Sequence, residues 1–171
     1  MSNVMTAFSP GEELKTMESL RHFRQLFDYD HWGNQAALAS LSSLAGPAER
    51  PLKVFAHVLG AQHVWRARFD NPNPPNAQPW PALTQEECRS VIDELHQRWV
   101  ELLDQLTDDK LDQNLVYHTT QGAKFETPIR EVLTHLLMHS AYHRGQVAAA
   151  VREGGGKPAL TDYVFYLRQK K

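Results

Sequence analysis

One cysteine, Cys88, is all the thiol that this 171-residue chain holds. A single thiol excludes an intrachain disulfide and any zinc site built on several cysteines. It fits a reducing compartment, where thiols stay free. A concentrated lysine and arginine stretch is also missing. The 18 basic residues are set against 20 acidic ones, for a net charge of -2 with the histidines neutral. A nucleic-acid face needs clustered positive charge, so no nucleic-acid partner is expected. No apolar run reaches the ~18 residues that a membrane span needs, and no membrane partner is expected. Met1 to Pro10 lacks a basic segment leading into an apolar one, so it does not read as a secretory leader. These absences predict a cytoplasmic protein.

Hydrophobic residues make up 42% and charged residues 22%, which reads as globular rather than disordered. The length suits one domain, 1–171, able to bury a core without covalent staples. No internal repeat or low-complexity region is visible. Residues 16–45 carry apolar positions at spacings of three and four, among them Leu20, Phe23, Phe27, Leu38, Leu41 and Leu44. That run stops at Gly46-Pro47. A second helix is predicted over 51–69, with Pro51 in its first turn. The proline-rich stretch from Asn71 to Pro81 cannot be helix. Thr84 with Glu87 three residues later forms a capping-box signature for a third helix running to about Leu106. Residues 114–126 are β-branched and aromatic around Gln121-Gly122, which predicts a short hairpin. Thr127 as cap and Pro128 in the first turn open a fourth helix, which ends at Gly154-Gly155-Gly156. The tail from Leu160 to Leu167 is expected to pack back on the helices. The predicted class is all-α, an antiparallel four-helix bundle with a hairpin before the last long helix.

Nine histidines are present, and three crowd into one segment: His135, His139 and His143. On a helix, residues four apart differ by only ~40° in direction, so two such imidazoles can converge on one ion. A third in the series drifts too far to join. The apolar face of Ile129, Val132, Leu133, Leu136, Val147 and Val151 includes His143 and reaches His139, whereas His135 turns towards solvent. The pair is therefore His139 and His143. Polar rings facing a bundle interior need partners, and a shared metal ion supplies one. Core or surface histidines satisfied by hydrogen bonds are the competing reading. A zinc-like site needs a third ligand, and the second helix offers both His57 and His63. Periodicity does not separate these two.

The segment from His139 to Gln146 resembles the H-x-x-x-H-R-G-Q signature of the DinB/YfiT-like superfamily. Leu26 to Leu38, an aromatic-rich stretch containing Trp32-Gly33-Asn34, resembles that family's first-helix pattern. His57 followed eight residues later by Trp65 resembles its second-helix pattern. The match covers most of the chain in the right order. The resemblance implies a four-helix bundle holding one divalent metal ion on His57, His139 and His143, with His135 a non-ligand. Zinc or nickel comes first among the ions, and iron is a third candidate. One departure stands out: many members carry an acid five residues after the first ligand, where this chain has Gln62.

Three neutral imidazoles leave a coordination position open for water or a thiolate. The family includes enzymes that use low-molecular-weight thiols. The resemblance therefore implies a metal-dependent thiol S-transferase or hydrolase acting on a small-molecule substrate, and a homodimer. A non-catalytic metal-binding or stress-related interaction protein is the alternative. No side chain identifies itself as the general base, so the catalytic residues are left unassigned. Gln146, one turn beyond His143, is either a partner of that ring or a solvated polar residue. Arg144 is expected in a structural salt bridge, Tyr142 in packing, and Cys88 as an inert thiol. Trp32, Trp65, Trp80 and Trp99 are packing candidates, some of them able to line a pocket.

Overall fold

Helix α1 runs from Pro10 to Ser40 and continues as a single 3-10 turn over Leu41–Ser43. This computed structural model describes residues 10–169 apart from Thr120, with side chains from Ser19 onward. The segment read for a leader lies outside the described residues except for Pro10. Helix α1 starts six residues earlier than the apolar pattern suggests. A proline fits the first turn because its missing N–H has no helical partner there. Helix α2 spans Glu49–Asp70 and α3 spans Gln85–Gln105. The capping box predicted at Thr84 is formed in both directions with Glu87.

A four-residue helix α4, Asp108–Leu111, comes next and is too short to leave a periodic signal. Strands β1 (Asn114–His118) and β2 (Lys124–Pro128) pair antiparallel, with Val116 opposite Glu126. The hairpin is thus where the sequence placed it, and Gly122 takes a positive φ of 86° in its turn. Helix α5 spans Ile129–Glu153, and α6 spans Tyr163–Gln169.

The expected cap at Thr127 is a correction. Thr127 belongs to β2, its hydroxyl lies 3.3 Å from the Tyr117 hydroxyl, and Pro128 takes the N-cap position. The sheet ladder holds Thr127 extended up to the helix start, so its side chain serves the hairpin. The tail packs back as expected: Tyr166 of α6 is buried, and the Tyr29 hydroxyl donates to the Thr161 carbonyl at 2.7 Å.

The described chain is mostly helical, with four long helices and one small two-stranded sheet. Helix α2 packs on α5 and α3, and α1 packs on α3 and α5. One continuous apolar cluster joins them through Phe27, Phe55, Leu59, Leu95, Trp99, Leu133 and Leu136. Each such side chain contributes about 1.5–3 kcal/mol by leaving water. No described helix is long and apolar enough to cross a membrane.

The connector between α2 and α3 is pressed against the helix that carries His57. Its Gln78–Pro81 section lies directly over Gly60 of α2. A Cβ on Gly60 would meet the Pro79 carbonyl oxygen at 2.8 Å, the Gln78 carbonyl oxygen at 2.9 Å, and the Pro81 ring closer still. Only a glycine admits backbone this near to a helix.

Candidate metal centre

The α2–α5 contact brings His57 beside His139 and His143. One ring nitrogen from each lies within 4.8 Å of the others, and no other such trio of metal-ligating side chains forms among the described residues. The His139 and His143 Nε2 atoms are 3.1 Å apart. Ligand nitrogens on a tetrahedral ion at ~2.0–2.1 Å sit roughly 3.3 Å from each other, so this spacing suits a shared ion. The ring planes of His57 and His143 are 89° apart with centroids at 4.7 Å, so the rings converge rather than stack.

Two of the three rings are held from behind. The His57 Nδ1–H donates to the Pro79 carbonyl at 2.6 Å. The His143 Nδ1–H donates to Gln146 Oε1 at 2.7 Å. Each bond assigns the proton to Nδ1 and leaves Nε2 with a free lone pair, which is what a ligand must present. Of the two roles open to Gln146, the structure shows the partner of His143.

The electrostatics favour the neutral rings. Burial, then the neighbouring His143, His57 and His135, push His139 down to about 4 from the ordinary 6.5. Burial also lowers His57, partly opposed by its bond to the Pro79 carbonyl. At neutral pH His57 and His139 are uncharged, so an ion need not displace the extra proton of an imidazolium. The donor set, its spacing and its protonation all fit a divalent ion of the borderline class.

A family model described as the DinB family matches residues 47–171, well over half of the chain. The chain belongs to the DinB family. It is 26% identical over 164 residues to Protein DinB of Bacillus subtilis (strain 168), covering 86% of this chain and 94% of that one. It also resembles the crystal structure of a DinB-like protein from Bacillus cereus ATCC 10987, with a TM-score of 0.59 and 19% identity. That likeness covers 85% of this chain and 97% of the other, and it concerns the fold.

Within this DinB fold the remaining candidates separate. His135 is exposed, edge-on to Trp65 with centroids 5.6 Å apart, and stands outside the trio. His63 is exposed and also stands outside it. The expected packing role of Tyr142 needs correction. Tyr142 is 65% exposed, with its ring set against His143 at 5.0 Å. It borders the site because position 142 points outward on α5. Cys88 is fully buried, and burial raises its thiol to about 11, so it stays protonated and inert.

Ser140 and Arg144 hold the innermost positions of α5 in this region, with His139 and His143 partly buried beside them. Arg144 is 2% exposed and forms a salt bridge with Asp30 on α1, as well as a 3.0 Å bond to Asn34. Burial works against its charge, and the Asp30 carboxylate more than offsets this.

Gln62 joins the same network. Its amide nitrogen donates to Asp30 at 2.6 Å and to Ser140 at 3.0 Å, and its oxygen accepts from the Trp99 indole at 3.2 Å. The departure at Gln62 is therefore a buried crosslink between α1, α2, α3 and α5.

Sequence reasoning missed the Pro79 carbonyl, and it named Trp80 among four tryptophans without singling it out. The Trp80 indole lies flat on His57, with centroids 3.7 Å apart and planes 8° from parallel. A backbone carbonyl has no side-chain signature. The available signal was Gly60, since a glycine inside a helix costs about 1 kcal/mol against alanine and so points to a packing reason.

Proposed function

We propose that this DinB-family chain is a metal-dependent enzyme of the thiol S-transferase or hydrolase type. Its resident ion sits on His57, His139 and His143 within an antiparallel four-helix bundle. The observation that carries this reading is the convergence of three ring nitrogens from two helices. The ion is zinc or nickel first, then iron, because imidazole donors suit all three.

A divalent ion on three neutral imidazoles supplies Lewis acidity and brings the pKa of a water or thiol towards neutrality. The protein's own part is to hold the ligands. Pro79 and Gln146 orient two rings, burial keeps His139 neutral, and the Trp80 ring covers one face of His57. The substrate is proposed as a small molecule, with a low-molecular-weight thiol as first choice, and the working unit as a homodimer. Both extend from the family resemblance.

Elemental analysis of untagged protein tests the site directly. The parent is expected to carry close to one metal ion per chain, and His139→Ala to lose it. A parent that stays metal-free after reconstitution would sink the three-histidine site. A loaded parent that turns over no thiol or ester would leave a metal-binding protein without catalysis.

A further inference from the structure

The geometry points to the Gln78–Pro81 strap as a positioning device for the metal centre: seated on Gly60, it holds His57 through the Pro79 carbonyl and the Trp80 ring. This inference rests on the three-histidine reading and adds residues that carry no ligand atom.

Three observations meet at one place. The strap runs so close to α2 that a single methyl on Gly60 would collide with Gln78, Pro79 and Pro81 together. The Pro79 carbonyl brought in this way accepts the His57 Nδ1–H at 2.6 Å. The next residue, Trp80, lies parallel on the same imidazole at 3.7 Å, yet is 52% exposed overall. An indole half in water is not held there by burial in the core. Its position follows from the strap and from the ring beneath it.

A histidine in a helix can rotate about two side-chain bonds and carry its proton on either nitrogen. The strap removes both freedoms: the hydrogen bond selects Nδ1–H, and the stacked indole sets the ring plane. Nε2 is then the free nitrogen on the ring that shares the cluster with His139 and His143. Gly60 and Trp80 are accordingly positioning residues, acting on the ion only through His57. Partners of this kind typically alter metal affinity by roughly 10- to 100-fold when removed.

The test uses the full chain, stripped of metal, with two measurements. Nitrogen NMR of the imidazoles at pH 8 reads the tautomer of His57. Zinc affinity is read by competition with a chromophoric chelator for the parent, Gly60→Ala and Trp80→Ala. The parent is expected to show His57 as the Nδ1–H form. Gly60→Ala is expected to lose that preference and bind zinc at least 10-fold more weakly while keeping its helical circular dichroism. Trp80→Ala is expected to weaken zinc several-fold.

A parent His57 in the Nε2–H form would overturn the inference, as would parental zinc affinity in a folded Gly60→Ala chain. Should Gly60→Ala fail to fold, the parent tautomer and Trp80→Ala decide, and unchanged affinity in Trp80→Ala counts against the strap. A parent that binds no zinc would overturn the metal reading and this inference with it. A parent that binds with unaltered variants would overturn the strap's role alone.

Discussion

At the scale of single residues, the buried charge of Arg144 is set against that of Asp30. Asp30 receives Arg144, the Asn34 amide and the Gln62 amide, so its oxygens are already shared among three donors. An acid at position 62 would set a second carboxylate against Asp30 and remove the donor. Gln62→Glu is expected to destabilise the fold by about 3 kcal/mol at neutral pH, the scale for an uncompensated buried charge. Urea titration checks this, and a loss under about 0.5 kcal/mol, the scatter of ordinary surface substitutions, would show that the network has little weight. In this chain position 62 is occupied by a donor that Asp30 uses.

Residue-scale protonation also gives a pH dependence. His57 and His139 are both lowered from 6.5, chiefly by burial, His139 to about 4. Between those values the unfolded chain binds more protons than the folded one, so stability rises with pH. The metal-free protein should be fully stable with respect to these groups above the ordinary histidine value of about 6.5. It should lose stability as the pH falls towards the lowered value of His139, about 4. Thermal melts in chelator across that window test the sign, and a melting temperature that rises on acidification would contradict it.

Among the elements, the two threonines read as caps behave differently. Thr84 accepts from the Glu87 backbone N–H at 3.2 Å while its own backbone N–H donates to the Glu87 carboxylate at 2.7 Å. Thr127 makes no such bond to α5, because it is committed to β2. Thr84→Ala is expected to cost about 1 kcal/mol, and Thr127→Ala clearly less. Comparable losses by denaturant titration would mean that Thr127 has a role at the start of α5 after all. Helix α5 itself shows how one element serves two purposes. Its 139 and 143 positions present imidazoles to α2, while 140 and 144, one residue on, reach the polar network in the core.

On the scale of the whole molecule, an ion on His57, His139 and His143 would bridge α2 and α5, which already pack against each other. Binding to the folded state alone adds stability as RT ln(1 + [L]/Kd), about 2.7 kcal/mol at a hundredfold excess over Kd. Zinc is therefore expected to raise the melting temperature of the parent by several degrees, and not that of His143→Ala. An equal rise in both would place the ion elsewhere. Sedimentation of the loaded protein tests the proposed homodimer.

Much of the fold was readable because its signals are local. Turn chemistry at Gly46-Pro47, the Thr84–Glu87 box and the glycines after Glu153 each mark an end within a few residues, and apolar spacing fills the intervals between them. The four-residue repeat placed His139 and His143 together for the same reason, since a helix sets their directions without outside help. The choice of His57 over His63 came from resemblance to the family, because nothing local distinguishes two histidines on one helix until that helix has a neighbour. Packing of α2 on α5 brings His57, and not His63, beside His139 and His143. Packing also decided what no residue pattern carries: a carbonyl of Pro79 brought to His57 across a glycine, an arginine and an aspartate 114 positions apart meeting in the core, and a threonine drawn into a strand. Sequence alone determined the four long helices and most of the apolar face each presents. Only the tertiary structure determined which groups meet, because such contacts depend on how distant segments pack.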